Sequence, residues 1–423
     1  MTTPANIEVF VAIGAQNVLA GRLYPHYRRG SESASFIYDD RYLANPVGYE
    51  LDPALPLVAG TLQTAVGRPI FGAFADSSPD RWGRTLIHRA ERARAQATAT
   101  APRSVSEVDL LLGVRDDLRQ GALRFRYAGQ DEFQASEESG VPILAELPEL
   151  LDIAARAERD TADYDDLRRL VRAGSSLGGA RPKAHILDNF GRIAIAKFPS
   201  ENSDTWDVMA WEKVALDLAA HAGVIVPNSQ LIRVGDRHVL VVDRFDRDGR
   251  RRIGYVSAMT MLEAGDGDQR SYLEIAEVVE QHSPAATAEL GQLWRRVAFN
   301  ILISNTDDHL RNHGFLNRGR DIWALSPAFD LNPNPHPGPK YLSTRIDFDS
   351  SLASIDTLIS IAPYFRVDES SAIKNLAQVA NSVARWRQVA RSHGLNHRDL
   401  DVMEPAFEHP EAKKAQHLLR SKL

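Results

Sequence analysis

The chain has 423 residues, with 50 Lys+Arg against 56 Asp+Glu and a formal charge of −6. Hydrophobic residues make up 43% and charged residues 25%, the mix of a globular chain able to bury a core, and at roughly 150 residues per domain the length suggests about two or three domains. The slightly acidic balance argues against strong non-specific nucleic-acid binding, and the absence of cysteine removes disulfides, thiol catalysis and Cys-held iron–sulfur or zinc sites together.

The first residues, MTTPANIEVFVAIG, carry no Lys or Arg before the apolar stretch and place Glu8 inside it, unlike a secretion signal. No apolar run approaches the roughly 20 residues that span a bilayer, so a cytoplasmic chain without a membrane partner is expected. Val9, Val11 and Ile13 share one parity, Gly14–Asn17 supplies a turn, and Val18–Leu23 returns, which predicts a β-hairpin. Ser35–Tyr38 reads as a further strand and Arg81–Gln96 as a helix. The acidic, turn-forming stretch QDEFQASEESGV (130–141) reads as a solvated connector. It sets a boundary between a β-rich part, 1–140, and a second part, 141–423.

Beyond it, Leu150–Val171 reads as one helix and Ile193–Phe198 as a strand. Trp206–Ala222 reads as a helix stopped by Gly223 and Pro227. Gln230–Val234, His238–Phe245 and Ile253–Val256 read as strands. Arg250–Arg252 is expected at a solvated hairpin tip, and Trp82 is expected to pack. Leu290, Leu293, Trp294, Val297, Ala298, Ile301 and Leu302 recur at helical spacing. A β-rich part followed by a mostly helical one suits an α+β enzyme of two lobes.

Four places could carry chemistry. In SSLGGARPKA (175–184) the adjacent Gly178 and Gly179 allow backbone N–H groups to approach an anion beside Arg181 and Lys183, although a plain turn fits equally and no P-loop pattern is present. Lys197 ends an apolar strand, where it either snorkels to solvent or reaches into a cleft. In phosphoryl-transfer enzymes a strand lysine holds nucleotide phosphates and pairs with a helix glutamate, and Glu212 lies 15 residues on. In NTDDHLRN (305–312), Asp307 and Asn312 stand five apart, the spacing of the kinase catalytic loop. There a carboxylate orients the attacking hydroxyl and an amide helps hold the metal. Asp330 follows the strand candidate Ile322–Leu325, where kinases keep a Mg²⁺-binding carboxylate, though alone it reads as a turn residue. A metallohydrolase is disfavoured because no HExxH accompanies Asp307, Asp308 and His309.

Taken in order, FADSSPDRWGR, SSLGGARPKA, IAKF, WEKVALDLAAHAGVIVP, VVDRFDR, SAMTMLEA, NTDDHLRNHGF and LSPAFDLNP resemble the HipA family, the serine/threonine kinase toxins of bacterial type II toxin–antitoxin systems. The resemblance covers nearly the whole chain. It implies a two-lobed kinase-like fold, with a β-rich HipA-type N-terminal subdomain over 1–140 and a mainly helical catalytic domain over 141–423. It implies ATP and Mg²⁺ as cofactors, Asp307 as the catalytic aspartate, and Asn312 with Asp330 as metal ligands. Lys197, Gly178, Gly179, Lys183, Glu212, Met259 and His309 would surround the nucleotide. Ser176, or the adjacent Ser175, would be autophosphorylated, an event that expels the phosphate loop and switches the kinase off. The expected partners are a small helix-turn-helix antitoxin (HipB-like), through which alone DNA would be met, and a protein substrate such as an aminoacyl-tRNA ligase. The founding branch phosphorylates glutamate–tRNA ligase. Against that branch, Arg181-Pro182 stands for a Gln-Glu pair, Asp308 for a glycine and Arg311 for a lysine. Two other functions share these parts: a catalytically weak nucleotide-binding co-repressor and a small-molecule kinase.

Overall fold

Alternation and a tight turn build the first element. Strands β1 (Ile7–Ile13) and β2 (Gln16–Arg28) pair antiparallel with Ile13 opposite Gln16, and Gly14 supplies the positive φ of 61° that the turn needs. With β3 (Ser31–Tyr38), β4 (Thr61–Gln63) and β5 (Leu123–Tyr127) they form a five-stranded sheet in the order β4-β3-β2-β1-β5. Gly21 is required by close approach, since a Cβ there would lie 2.2 Å from the Ile37 carbonyl oxygen. Burial in β1 does not follow the parity of Val9, Val11 and Ile13, because Ile7 through Val11 are all buried. Phe10 packs edge-on against Phe133 at 5.4 Å and under the Arg126 guanidinium at 4.5 Å, which covers the second face. On the other face Phe36, Phe71, Phe74 and Phe125 meet edge to face, with Phe74 as the common partner at 5.6–5.8 Å.

The computed structural model describes residues 6–28, 30–134, 140–174, 179 and 181–422. The chain divides into two compact units, Met1–Ser203 with Asp243–Glu263 and Leu316–Asp321, and Asp204–Val242 with Ala264–Phe315 and Ile322–Leu423. Among the described residues no helix is long and apolar enough to cross a membrane.

In the first unit, Phe71 precedes α1 (Gly72–Asp76), and Asp80 caps α2 (Arg81–Ala97) by accepting the Gly83 N–H at 2.8 Å. Trp82 packs as expected, 4% exposed. The single helix read over Leu150–Val171 is two, α3 (Leu147–Glu158) and α4 (Tyr164–Arg172). Asp160 turns the chain at φ 60° and Asp163 starts the next helix by accepting the Asp166 N–H. The hydrophobic period continued through a break that depends on backbone sign, which periodicity does not report. Strands β6 (Lys183–Leu187) and β7 (Ile193–Lys197) form an antiparallel hairpin with Lys183 opposite Lys197. The expected solvated tip fails at Arg252, whose guanidinium donates to the Asp116 carbonyl at 2.6 Å and carboxylate at 2.9 Å. Arg250 and Arg251 are exposed.

Asp76 ties α1 to the short helix Ala258–Met261, and Asp52 ties α1 to the turn at Ala54. Asp76 accepts the Ser257 N–H and hydroxyl at 2.6 and 2.8 Å and the Thr260 hydroxyl at 2.7 Å. Asp52 accepts the Ala73 and Ala54 N–H groups at 2.7 and 2.8 Å. Burial, with the Asp76 and Glu263 charges nearby, pushes the Asp52 carboxyl from 3.8 up to about 6 against those two donors. The native state therefore binds this proton more tightly than the unfolded chain. Its stabilising contribution is whole below 3.8 and is lost as pH rises to about 6. Asp52→Asn should remove a pH-dependent difference of about 3 kcal/mol across that window, read by denaturant melts of both proteins. Parallel pH profiles for the two would contradict it.

The second unit is mostly helical. Asp207 caps α5 (Val208–His221), and Gly223, at φ 75°, ends it as read. Strands β8 (Ser229–Val234) and β9 (Arg237–Asp243) form a hairpin. Helix α6 (Tyr272–His282) opens on a capping box between Ser271 and Glu274, and α7 (Ala286–Leu302) buries the predicted stripe. Helices α8 (Glu369–Val383), α9 (Trp386–Ser392), α10 (His397–Phe407) and α11 (Pro410–Lys422) follow, with Trp386 stacked on Phe407 at 4.8 Å.

Candidate active site

Helix α7 delivers its C-terminal end into the loop that holds Asp307. Ser304 breaks the helix at φ 55°, and Asn305 folds back, its N–H donating to the Asn300 carbonyl at 2.9 Å and its side-chain amide to Asn300 Oδ1 at 3.1 Å. The next two aspartates then part company. Asp307 is exposed. Asp308 turns inward, 2% exposed, and its Oδ2 accepts from the Tyr272 hydroxyl at 2.6 Å, Asn300 Nδ2 at 2.8 Å and His313 Nε2 at 2.8 Å. Burial opposes its charge, yet the His313 interaction and the Tyr272 hydrogen bond outweigh that and hold the carboxyl below its usual range. The Thr344 hydroxyl adds a 2.6 Å bond to the Asp308 carbonyl.

Asn312 returns the loop to Asp307. Its Nδ2 donates to the Asp307 carbonyl at 3.1 Å and its N–H to the His309 carbonyl at 2.8 Å, closing the short turn Leu310–Asn312. The spacing read from the sequence thus brings Asp307 and Asn312 together. The segment carrying Asp330 is tied to the same loop, because Asn334 Nδ2 donates to the Thr306 hydroxyl at 2.8 Å and Ser343 donates twice to the Thr306 carbonyl at 3.0 Å. Asp330 is half-buried in a left-handed turn at φ 59°, and its Oδ1 accepts Asn332 Nδ2 at 3.1 Å. Glu212 is buried on α5 in this unit, 2% exposed, and His309 is half-buried, with a Nδ1 that finds no protein partner. Arg311, which stands for the founding branch's lysine, pairs with Asp266.

Lys197, Lys183, Gly179 and Met259 lie in the first unit. Lys197 is the last residue of β7 and is half-buried, and Met259 sits half-buried in the helix held by Asp76. Lys183 opens β6, and its ammonium lies 2.6 Å from Asp80 Oδ2, with both side chains at most 4% exposed. Gly179, at φ 97°, passes so close that a Cβ would stand 3.2 Å from that ammonium. Ser175, Ser176 and Gly178 lie outside the described residues.

Asp80, Asp76 and Asp308, which hold Lys183, the helix carrying Met259 and the Asp307 loop, were not singled out in the sequence. Asp80 carried a readable signal, an aspartate directly before a helical pattern, but that signal announces only a cap. Its second role follows from a pairing across 103 residues. Asp80→Asn keeps the cap acceptor and removes the charge that answers Lys183, so it should cost about 1.5–3 kcal/mol in a denaturant melt. An unchanged midpoint would show that the pair contributes nothing.

The loop donors are all oxygens of carboxylate and amide groups, which suits a hard cation such as Mg²⁺. Asn332 Oδ1, beside Asp330, is buried without a protein partner, an acceptor open to a cation or its water. Among the described residues no three His, Cys, Asp or Glu side chains form a cage. Mg²⁺ ordinarily takes one or two carboxylates and completes its shell with phosphates and water, so the residues fit it.

Comparison with known proteins decides the lineage, for the family model described as the HipA-like C-terminal domain matches residues 175–387, half of the chain. The chain belongs to that family. It is 30% identical over 208 residues to Y4dM of Sinorhizobium fredii, covering 41% of this chain and 50% of that protein. It is 27% identical over 190 residues to a protein of Haemophilus influenzae, covering 39% and 54%. Both relatives bear kinase names, and the chain spans about half the length of each. The fold is that of HipA in the Shewanella oneidensis toxin–antitoxin complex of HipA, HipB and its operator DNA. The TM-score is 0.63 at 17% identity, over 98% of this chain and 96% of that one. Asp307, Asn312 and Asp330 fall inside the span matched to the family, as do Lys183, Lys197, Glu212, Met259 and His309.

Proposed function

We propose that this HipA-family chain is an ATP-dependent serine/threonine protein kinase acting in the cytoplasm as the toxin of a type II toxin–antitoxin module. The observation that carries the reading is the loop after α7, where one aspartate is buried as an anchor and its neighbour is left exposed within reach of an oriented amide. Such a loop holds a carboxylate still without burying it, as a group that must meet a substrate hydroxyl requires.

In the proposed reaction the oxygen of a serine or threonine hydroxyl attacks the γ-phosphorus of ATP. The hydroxyl proton passes to the Asp307 carboxylate, and the bond to the bridging oxygen breaks, leaving ADP. In this reading Lys197 would hold the phosphates, Glu212, Gly178, Gly179 and Lys183 would serve the same nucleotide, His309 would lie beside it, and the helix carrying Met259 would border the adenine. Asn312 and Asp330 are the residues that would hold Mg²⁺, which when bound offsets charge on the phosphates. Residues 1–140 form the N-terminal subdomain, a reading supported by the confinement of the whole five-stranded sheet to residues 7–127, and 141–423 form the catalytic domain. A helix-turn-helix antitoxin is the proposed partner, as HipB is of HipA in the Shewanella complex. DNA would be reached through it, and the substrate would be a protein such as an aminoacyl-tRNA ligase.

Incubation of the purified chain with γ-labelled ATP and Mg²⁺ alone tests this. Label on Ser176 or Ser175, located by mass spectrometry, is the expected result. ATP binding with no transfer would favour the co-repressor, and transfer only to an added sugar or aminoglycoside would favour the small-molecule kinase.

A further inference from the structure

A groove of about 250 Å³ opens on the first unit between α2, the loop after it, and α4. Its floor is aliphatic, made by Ile87, Ala90, Val105 and Val171. Four arginines line it, Arg94, Arg103, Arg168 and Arg172, against a single acid, Glu91. Glu91 is already committed. It accepts Arg94 at 2.7 and 2.9 Å and the backbone N–H of Arg103 at 2.9 Å. The Arg103 guanidinium, 64% exposed, comes no nearer to a carboxylate than 3.6 Å at Glu91 and 3.9 Å at Asp109. Arg168, 44% exposed, lies 4.0 Å from Asp165 and 5.6 Å over the Tyr164 ring. Contacts this long and this solvated add little, so either guanidinium can exchange them for a bidentate carboxylate at little cost.

We propose that this groove docks an acidic peptide segment of a partner protein, with one apolar side chain on the aliphatic floor and flanking carboxylates on Arg103 and Arg168. The volume matches one side chain with adjoining backbone, and a positive rim around an apolar floor complements a segment in which acidic residues flank an aliphatic one. A nucleic-acid strand fits less well. Bases seek aromatic platforms, whereas the one ring here, Tyr164, already carries Arg168, and the chain as a whole is acidic. The inference stands apart from the kinase reading, because none of these residues belongs to the proposed catalytic site.

Fluorescence anisotropy of the full chain with the labelled peptide Glu-Glu-Leu-Asp-Glu, set beside Gln-Gln-Leu-Asn-Gln, tests it. The acidic peptide should bind, weaken as salt is added, and lose about tenfold in affinity in the paired variant R103E/R168E. R250E/R251E, a charge reversal of the same size at two exposed arginines elsewhere, should leave binding unchanged. R103Q/R168Q, which removes both charges without imposing repulsion, answers the question if the reversed pair fails to fold. No binding, equal binding of both peptides, indifference to the arginine variants, or tighter binding of an oligothymidylate of equal charge would each overturn the proposal.

Discussion

Asp307→Ala should lower kcat for phosphoryl transfer by about 10²–10⁴ while leaving the fold in place. The loss follows from the proposed role, for a carboxylate exposed at a turn whose backbone is tied by Asn312 and His309 would be the group that meets the hydroxyl. An exposed side chain outside the core should shift stability by no more than about 1 kcal/mol. Asp307→Asn sharpens the test, since it keeps the shape but cannot accept the proton. The two variants should fail alike in kcat while nucleotide affinity stays near that of the unaltered chain. Undiminished transfer by either would remove Asp307 from the chemistry.

Asp308→Ala should act through stability. The substitution takes one carboxylate from three donors in a buried place, leaving the Tyr272 hydroxyl, the Asn300 amide and His313 Nε2 without their acceptor. Removing one partner from a buried charged cluster costs roughly 3–5 kcal/mol, and the melting transition should fall accordingly. The pH dependence follows from the direction of its shift. A carboxyl held below its usual range stabilises the fold at pH values above the unfolded pKa, about 3.9, and that contribution is lost as pH falls through the lower native value. Asp308→Asn should flatten the acid limb of the stability profile while costing less than alanine. A melting curve for Asp308→Ala that overlays the parent would show the anchor to be dispensable. Loss of activity is expected with both variants, but with Asp308→Ala it should track the fraction unfolded, whereas with Asp307→Ala it should not.

Local patterns were legible where local forces decide. The first hairpin, helix α2, the stripe of α7 and the glycine stop after α5 follow from turn chemistry, caps and period, which act within a few residues. The pairing of Asp307 with Asn312 was legible for the same reason, since five residues of loop can close on themselves. What escaped depends on distant partners or on backbone sign. The inward turn of Asp308 is set by Tyr272, Asn300 and His313, and nothing in the dipeptide Asp307-Asp308 says which carboxylate goes in. Asp80 meets Lys183 only after the chain has folded, and Arg252 is drawn from its hairpin tip to Asp116 by a charge 136 residues away. The break between α3 and α4 turns on one left-handed residue, Asp160.

The most direct measurement is the structure of the chain bound to Mg²⁺ and a non-hydrolysable ATP analogue. The account predicts the γ-phosphate facing Asp307, the cation on Asn312 and Asp330, and the Lys197 ammonium on the phosphates. A nucleotide bound elsewhere, or one whose γ-phosphate is turned away from Asp307, would contradict it.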